Sequence, residues 1–169
     1  ASIDDTADYV EAHFPGVRVV RNRENYGFAR GNNIGAQAAR GRYVAFLNQD
    51  TRVSPDWLEE LLCPILEDQR HGDGRLVCTG SKILDWDGEL VDFAGARMNF
   101  LGKGSQFGFR QVDGPSYSEP RPLLFACGGS MLIDRRVFLE SGGFDEDFFV
   151  FFEDVDLGWR LWVLGYRVQ

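Results

Sequence analysis

Two acidic clusters in this 169-residue chain carry the residue types that do chemistry. The first is Asn48-Gln49-Asp50, directly behind the apolar run Tyr43-Val-Ala-Phe-Leu47. If that run is a strand of an open α/β sheet, Asp50 stands at its carboxyl end, where such sheets bind ligands. A carboxylate there can hold Mg²⁺ or Mn²⁺, and the ion in turn a diphosphate. The plain alternative is a turn residue that caps the next segment. The second cluster is Glu153-Asp154, followed by Asp156 and Arg160. Asp154 falls near a predicted helix N-terminus, where the dipole favours an ionised carboxylate. An ionised carboxylate can accept a hydroxyl proton. Glu153 reads as a cap, a substrate ligand or a solvated charge. Asp156 and Arg160, four apart, read as a helix-surface ion pair.

Other chemistries lack their residues. No glycine loop ends in Gly-Lys-Ser/Thr. Gly27, Gly31 and Gly35 are spaced for one helix face that could press on a sheet, not for a dinucleotide. His13 and His71 have no partners at zinc spacing, and the acidic run 145–156 lacks the central glycine of a calcium loop. The net charge of −8 argues against a nucleic-acid surface. No apolar run approaches the ~20 residues of a membrane span. Cys63, Cys78 and Cys127 are few and widely spaced, as expected of reduced thiols in a cytoplasmic setting. The absence of an initial Met reads as a piece of something longer.

The elements that must position these residues follow from periodicity and punctuation. An N-terminal helix, with Asp4, Asp5 and Thr6 as candidate N-caps, carries an apolar stripe of Tyr9, Val10 and Phe14 and stops at Pro15-Gly16. Residues 17–21 are β-branched and predict a strand. A small-residue helix over 29–40 ends at Gly41. Residues 43–47 form a continuous apolar strand, as when both faces are covered. Ser54-Pro55 opens the next helix, with Trp57, Leu58, Leu61, Leu62, Ile65 and Leu66 as its buried face and a kink at Pro64. Residues 76–79 are a further strand. The stretch 82–117 is a β-rich excursion or a mobile loop, with a hairpin turn at Asp87-Gly88 between 83–86 and 89–93. Strand character returns over 123–133, around Gly128-Gly129. Helices are predicted near 135–141 and 154–164, and 166–168 begins a last strand. The phenylalanines at 144, 148, 149, 151 and 152 read mostly as core, with one or two free to line an acceptor groove. Strands alternating with helices imply one α/β domain with a mainly parallel sheet.

Three ordered motifs make the reading specific. Asn25-Tyr-Gly-Phe-Ala-Arg-Gly-Asn-Asn-Ile-Gly35, Tyr43-Val-Ala-Phe-Leu-Asn-Gln-Asp50, and the run from Gly142-Gly-Phe-Asp through Glu153-Asp-Val-Asp to Arg160 resemble the family 2 glycosyltransferases, across nearly the whole chain. The nearest look is that of bacterial rhamnosyltransferase-like members. The resemblance implies a GT-A-like (Rossmann-like) fold. It implies that Asp50 is the last acid of an Asp-x-Asp metal motif, whose first position is here Asn48, and that Asp154 is the catalytic base beside Glu153. It also implies that Gly128 and Gly129 lie near the donor sugar and that Asn25, Gly27, Asn32 and Asn33 lie beside the nucleotide. A leading strand-helix-strand unit of roughly 30 residues is missing relative to the family. Residues 1–169 therefore read as a single, N-terminally truncated catalytic domain.

The expected reaction is an inverting transfer from a UDP- or dTDP-sugar to a glycan or lipid-linked acceptor in cell-surface polysaccharide synthesis. It needs a divalent cation, Mg²⁺ or Mn²⁺, and occurs in the cytoplasm, with the parent protein at the inner face of the membrane. A non-catalytic carbohydrate- or nucleotide-binding module is the first rival. A nucleotidyltransferase is the second, disfavoured because neither Lys82 nor Lys103 sits in a phosphate-binding motif.

Overall fold

The computed structural model describes residues 4–99, 101 and 104–169. The chain runs through α1 (Thr6–His13), α2 (Gly27–Ala38), β1 (Tyr43–Leu47), α3 (Trp57–His71) and β2 (Leu76–Gly80). Short strands β3 (Ile83–Leu84), β4 (Val91–Phe93), β5 (Ala96–Met98) and β6 (Gly104–Gln106) form the excursion. It closes through β7 (Ser130–Asp134), α4 (Arg135–Glu140), α5 (Glu153–Val163) and β8 (Arg167–Val168).

The main sheet has the order β1-β7-β2-β8. Strands β1, β2 and β8 run one way, and β7 is inserted against them. The β1–β7 and β7–β2 ladders are therefore antiparallel, and the β2–β8 ladder is parallel. The expected parallel character holds for strand direction and fails for pairing, because hydrophobic periodicity reports burial and not direction. In β7, Met131 and Ile133 face a core shared with α2, α4 and α5, while Leu132 faces a smaller one under α3. Coverage of both faces explains its continuous apolar sequence. The same argument fails for β1. It is an edge strand, only Phe46 is buried, and Ala45 and Leu47 are exposed.

The larger core centres on three rings. Phe46 and Phe138 lie 5.1 Å apart, and Phe144 lies 5.1 Å from Phe46 and 5.2 Å from Phe138, with tilted or edge-on planes. Fully burying a phenylalanine contributes about 1.5–3 kcal/mol, so Phe144 fastens the Gly142-Gly143 loop to the sheet.

Several local expectations need correction. Residues 17–21 are in no ladder, and Val17 and Val20 are exposed: β-branched residues make a strand only where a neighbour supplies hydrogen bonds. Residues 124–129 are likewise irregular ahead of β7, with Leu123 making an isolated bridge to Val168. Helix α3 starts at Trp57, behind a turn in which Trp57 N–H donates to Ser54 O. It continues through Pro64 as one element, and Leu58 is exposed. No residue of α1 is buried, so its apolar stripe faces outward. Gly31 and Gly35 meet nothing within 4 Å; α2 approaches the core through Ala29, Asn33 and Ala36. The hairpin β3–β4 is present, and its loop is fastened by the Asp85 carboxylate, which accepts from Glu89 N and Leu90 N at 3.0 Å each.

Candidate active site

The carboxyl end of β1 and the amino end of β7 lie on one edge of the sheet, because the two strands are antiparallel. The polar residues gather there. Asn48 N donates to Gly129 O at 2.9 Å, extending the ladder by one rung. Thr51 Oγ donates to Asn48 O at 2.6 Å and closes a turn that presents Asp50 to solvent. On the facing side, Ser130 N donates to Cys127 O at 3.0 Å, with Gly128 and Gly129 inside the turn. Both glycines let neighbouring side chains approach more closely than a Cβ would allow. A Cβ on Gly129 would sit 3.0 Å from the Asn48 amide nitrogen, and one on Gly128 would lie 3.2 Å from the Phe28 ring and 3.6 Å from Asp154 Cβ.

Asp154 stands in the first turn of α5, as the sequence predicts. Its Oδ2 accepts from Gly128 N at 3.0 Å and its Oδ1 from Val155 N at 2.8 Å. The bond from Gly128 N joins Asp154 to the glycine turn, the bond from Val155 N fixes its carboxylate at the helix start, and the same turn is joined to Asn48, two residues before Asp50. The helix start does not leave Asp154 with a depressed pKa. Burial raises it above 3.8, and the bonds from Gly128 and Val155 oppose that without cancelling it.

Glu153 is neither solvated nor a cap. It is 5% exposed, and its Oε2 is buried with no hydrogen-bond partner among the described residues. Its pKa is raised by burial and then by the charge of Asp154. Asp156 and Arg160 do pair, at 2.7 Å, but Arg160 also donates to Ser141 O at 2.6 Å and Gly143 O at 2.7 Å. The pair is therefore a brace between α5 and the Gly142-Gly143 loop, not a surface ornament.

The asparagines and glycine of the first motif are spent on structure. Asn25 Oδ1 accepts from Gly27 N at 3.0 Å at the entrance of α2, and Asn32 donates to Phe28 O at 2.9 Å within the helix. Gly27 takes a φ of +73°, and a Cβ there would meet Phe149 O at 2.5 Å. Asn33 is buried, accepting from Phe144 N at 2.9 Å and donating to Phe144 O at 2.8 Å. These contacts fasten α2 to the segment leading into Glu153-Asp154; they do not direct Asn33 at a ligand.

Phe148, Phe149, Phe151 and Phe152 are exposed, against the core expectation, and Phe149, Phe151 and Phe152 have φ of 51°, 71° and 71°. Phe149 O accepts from Phe28 N at 2.7 Å and Ala29 N at 3.2 Å, satisfying the first turn of α2. Sequence reasoning also missed Asp92. Its charge, with those of Asp154 and Glu153, bears on the half-buried Cys127 thiol, whose pKa is raised chiefly by burial. Its alternation between buried Val91 and Phe93 was the available signal. Trp86, exposed with Arg52 5.2 Å from its ring, is a second such residue.

Among the described residues no three His, Cys, Asp or Glu side chains gather into a metal cage. An ion of the Mg²⁺ class needs no cage when one or two carboxylates and a substrate diphosphate share it. The single exposed Asp50 at a strand end fits that arrangement, with Asn48 beside it. No described helix is long and apolar enough to cross a membrane.

Residues 1–141 match the family described as Glycosyl transferase family 2. The mouse polypeptide N-acetylgalactosaminyltransferase 10 is 27% identical over 170 residues, covering 96% of this chain and 27% of that protein. The O-antigen biosynthesis protein RfbC of Myxococcus xanthus is 36% identical over 145 residues, covering 81% of this chain and 11% of that protein. A crystal structure of GalNAc-T7 with UDP, GalNAc and Mn²⁺ superposes with a TM-score of 0.65 at 21% identity, over 95% of this chain and 32% of that one. That likeness carries the GT-A-like fold. The narrower likeness to bacterial rhamnosyltransferases is not supported: the transferases named in these matches are N-acetylgalactosaminyltransferases.

Proposed function

We propose, from the premise that the chain belongs to glycosyl transferase family 2, that it is the catalytic domain of an inverting, nucleotide-sugar-dependent glycosyltransferase. The observation that carries this reading is the pair of hydrogen bonds, Asn48 N to Gly129 O and Gly128 N to Asp154 Oδ2, that ties the segment bearing Asp50 to Asp154 through the Gly128-Gly129 turn. It sets a solvent-facing carboxylate and a proton acceptor at one edge of the sheet, on either side of a turn that carries no side chains of its own. In this reading Asp154 takes the proton of the acceptor hydroxyl as its oxygen attacks the anomeric carbon. The C–O bond to the nucleoside diphosphate breaks on the opposite face of the sugar. The small Gly128-Gly129 turn admits the sugar between the reacting groups, and fixing both partners supplies much of the rate.

A divalent cation bound with the diphosphate would neutralise the charge that develops on the leaving group. Asp50, aided by Asn48, is the residue to hold it, and the Mn²⁺ of the GalNAc-T7 structure supports a divalent cation in the reaction. Of the UDP- and dTDP-sugars expected from sequence, the named relatives support a UDP-linked N-acetylhexosamine donor. The O-antigen relative supports a bacterial glycan acceptor, free or lipid-linked. The unpaired thiols Cys63, Cys78 and Cys127 support a reducing, cytoplasmic compartment.

Release of nucleoside diphosphate from a panel of nucleotide sugars, with Mn²⁺ and with or without glycan acceptors, tests the proposal. Acceptor-stimulated release that Asp154→Asn lowers by about 10²–10⁴-fold is the expected result. Donor binding without release from any member of the panel would favour a binding module instead.

A further inference from the structure

A cavity of about 450 Å³ opens between α3, the carboxyl end of β2 and residues 117–121. Its volume falls within the roughly 300–1,000 Å³ of small-molecule sites. It is lined by neither Asp50 nor Asp154. Even so, it is tied to the site described above. Trp57 Nε1 on its wall donates to Ser81 Oγ at 2.9 Å and Ser130 Oγ at 3.1 Å, the two hydroxyls are 2.7 Å apart, and Ser130 directly follows Gly129.

We propose that this cavity is a subsite for a neutral glycan, the part of the acceptor that extends beyond its reacting hydroxyl. The inference rests on the glycosyltransferase reading and adds to it a second place of sugar recognition.

The chemistry of the lining selects the ligand. Its cations are already engaged. Lys82 Nζ donates to both oxygens of Asp113, at 2.9 and 2.7 Å, and to Ser118 Oγ at 3.0 Å. Arg121 donates to Ser116 O and Glu119 O, and its guanidinium lies 5.5 Å from the Phe107 ring centre. Lys82 is neutralised by Asp113, and the charge of Arg121 stands against two carboxylates, Glu60 and Glu119, in the same lining, so a phosphate would meet no net positive charge. The acids are different: among the described residues, Glu60 and Glu119 make no ion pair. Ionised carboxylates only accept hydrogen bonds, and the hydroxyls of a neutral sugar supply the donors. Trp57 and Tyr117 add aromatic surface with polar edges, which suits the mixed apolar and polar faces of a pyranose. The bonds of Lys82 and Arg121 hold 113–121 in place before a ligand arrives, so little ordering cost remains on binding.

The Trp57 indole N–H is a reporter inside this wall. Its resonance, identified by its disappearance in Trp57→Phe, is followed in the full-length protein during titration with maltotriose, chitotriose, inorganic pyrophosphate and a neutral serine-containing peptide. A saturable shift with at least one trisaccharide and none with pyrophosphate is expected. The double variant Glu60→Gln/Glu119→Gln changes two exposed side chains without changing their size, so its melting point should match the parent. It should weaken the trisaccharide at least fivefold, while Asp154→Asn leaves the affinity unchanged. Three results would overturn the subsite: no saturable shift with either trisaccharide, wild-type affinity in the double variant, or a shift with pyrophosphate or the peptide alone. None of these touches the reaction proposed above, which stands or falls on turnover in Asp154→Asn.

Discussion

The main-chain N–H of Gly128 donates to Asp154 Oδ2 at 3.0 Å, so the loop that enters β7 and the helix that carries the proton acceptor are held as one unit. An amide oxygen can accept the same bond, which makes Asp154→Asn a conservative test. Base catalysis contributes about 10²–10⁴-fold, and turnover should fall by that much while donor affinity hardly changes. Because burial raises the Asp154 pKa above 3.8, the ionised base is lost on acidification earlier than for an ordinary aspartate. The acid limb of the pH–rate profile should therefore lie above that value in the parent and vanish from the residual rate of Asp154→Asn. Near-parental turnover in the variant would remove the base assignment.

Asp50 presents a single carboxylate, and Asn48 stands where a second would be. Asp50→Ala should weaken binding of a nucleotide sugar in Mn²⁺ and leave the weaker, metal-free binding alone. Asn48→Asp should do the reverse and lower the Mn²⁺ concentration needed for half-maximal binding. Calorimetric titrations with and without chelator measure both, and identical metal dependence in all three proteins would exclude the ligand role.

Glu153 makes a stability prediction with a definite sign. Its folded-state pKa is raised above 4.5, so between the unfolded and folded values the native chain binds more protons than the unfolded one. Stability then falls as pH rises through that window. Glu153→Gln removes the ionisation and keeps the shape. It should melt like the parent below pH 4.5 and above the parent at neutral pH. A variant that is less stable at neutral pH would show that Oε2 has a partner worth keeping.

Asn33 and Asp156 separate a buried brace from a redundant one. Asn33→Ala leaves the N–H and C=O of Phe144 without partners in the core, and each orphan costs roughly 1–3 kcal/mol. Asp156→Asn leaves Arg160 bonded to Ser141 O and Gly143 O, so a loss nearer the ~0.2–0.5 kcal/mol of an exposed helix pair is expected. Chemical denaturation of the two variants gives the comparison; equal losses would contradict it.

Much of this arrangement was legible in the sequence, and the misses share a cause. The strand at 43–47, the helices that follow it and the places of Asp50 and Asp154 were readable because periodicity and helix caps are local signals. The reversal of β7, the unpaired state of 17–21 and the burial of Asn33 depend on which segments meet, and no local pattern encodes that. The motif that holds Asn33 implies a segment beside the nucleotide; the bonds of Asn33 to Phe144, more than a hundred residues away, appear only in the fold. The glycine spacing in α2 likewise suggested a packing face that alanines supply instead. Glu153 stays ambiguous in sequence for the opposite reason: a carboxylate there gives no sign of whether water reaches it.

The segment before Glu153 gives the last prediction. Phe149, Phe151 and Phe152 all occupy left-handed backbone, and Phe151 is 74% exposed. Left-handed backbone costs an L-residue about 1–2 kcal/mol, and an aromatic ring left in water recovers none of that cost. Such outliers persist where function requires them, and here they sit directly ahead of Asp154 on the solvent side. Two substitutions separate backbone from ring. Phe151→Ala removes the ring and keeps the strain, whereas Phe151→Gly removes both. Glycine loses roughly 0.5–1 kcal/mol to alanine inside regular structure, but at φ of +71° the order should reverse, with the glycine variant the more stable. If the ring contacts the acceptor, both variants should raise its KM alike while the donor KM stays put, because only the ring is common to the two losses. An alanine variant at least as stable as the glycine variant would show that the left-handed turn stores no strain. An unchanged acceptor KM in both would free the ring from any part in the reaction.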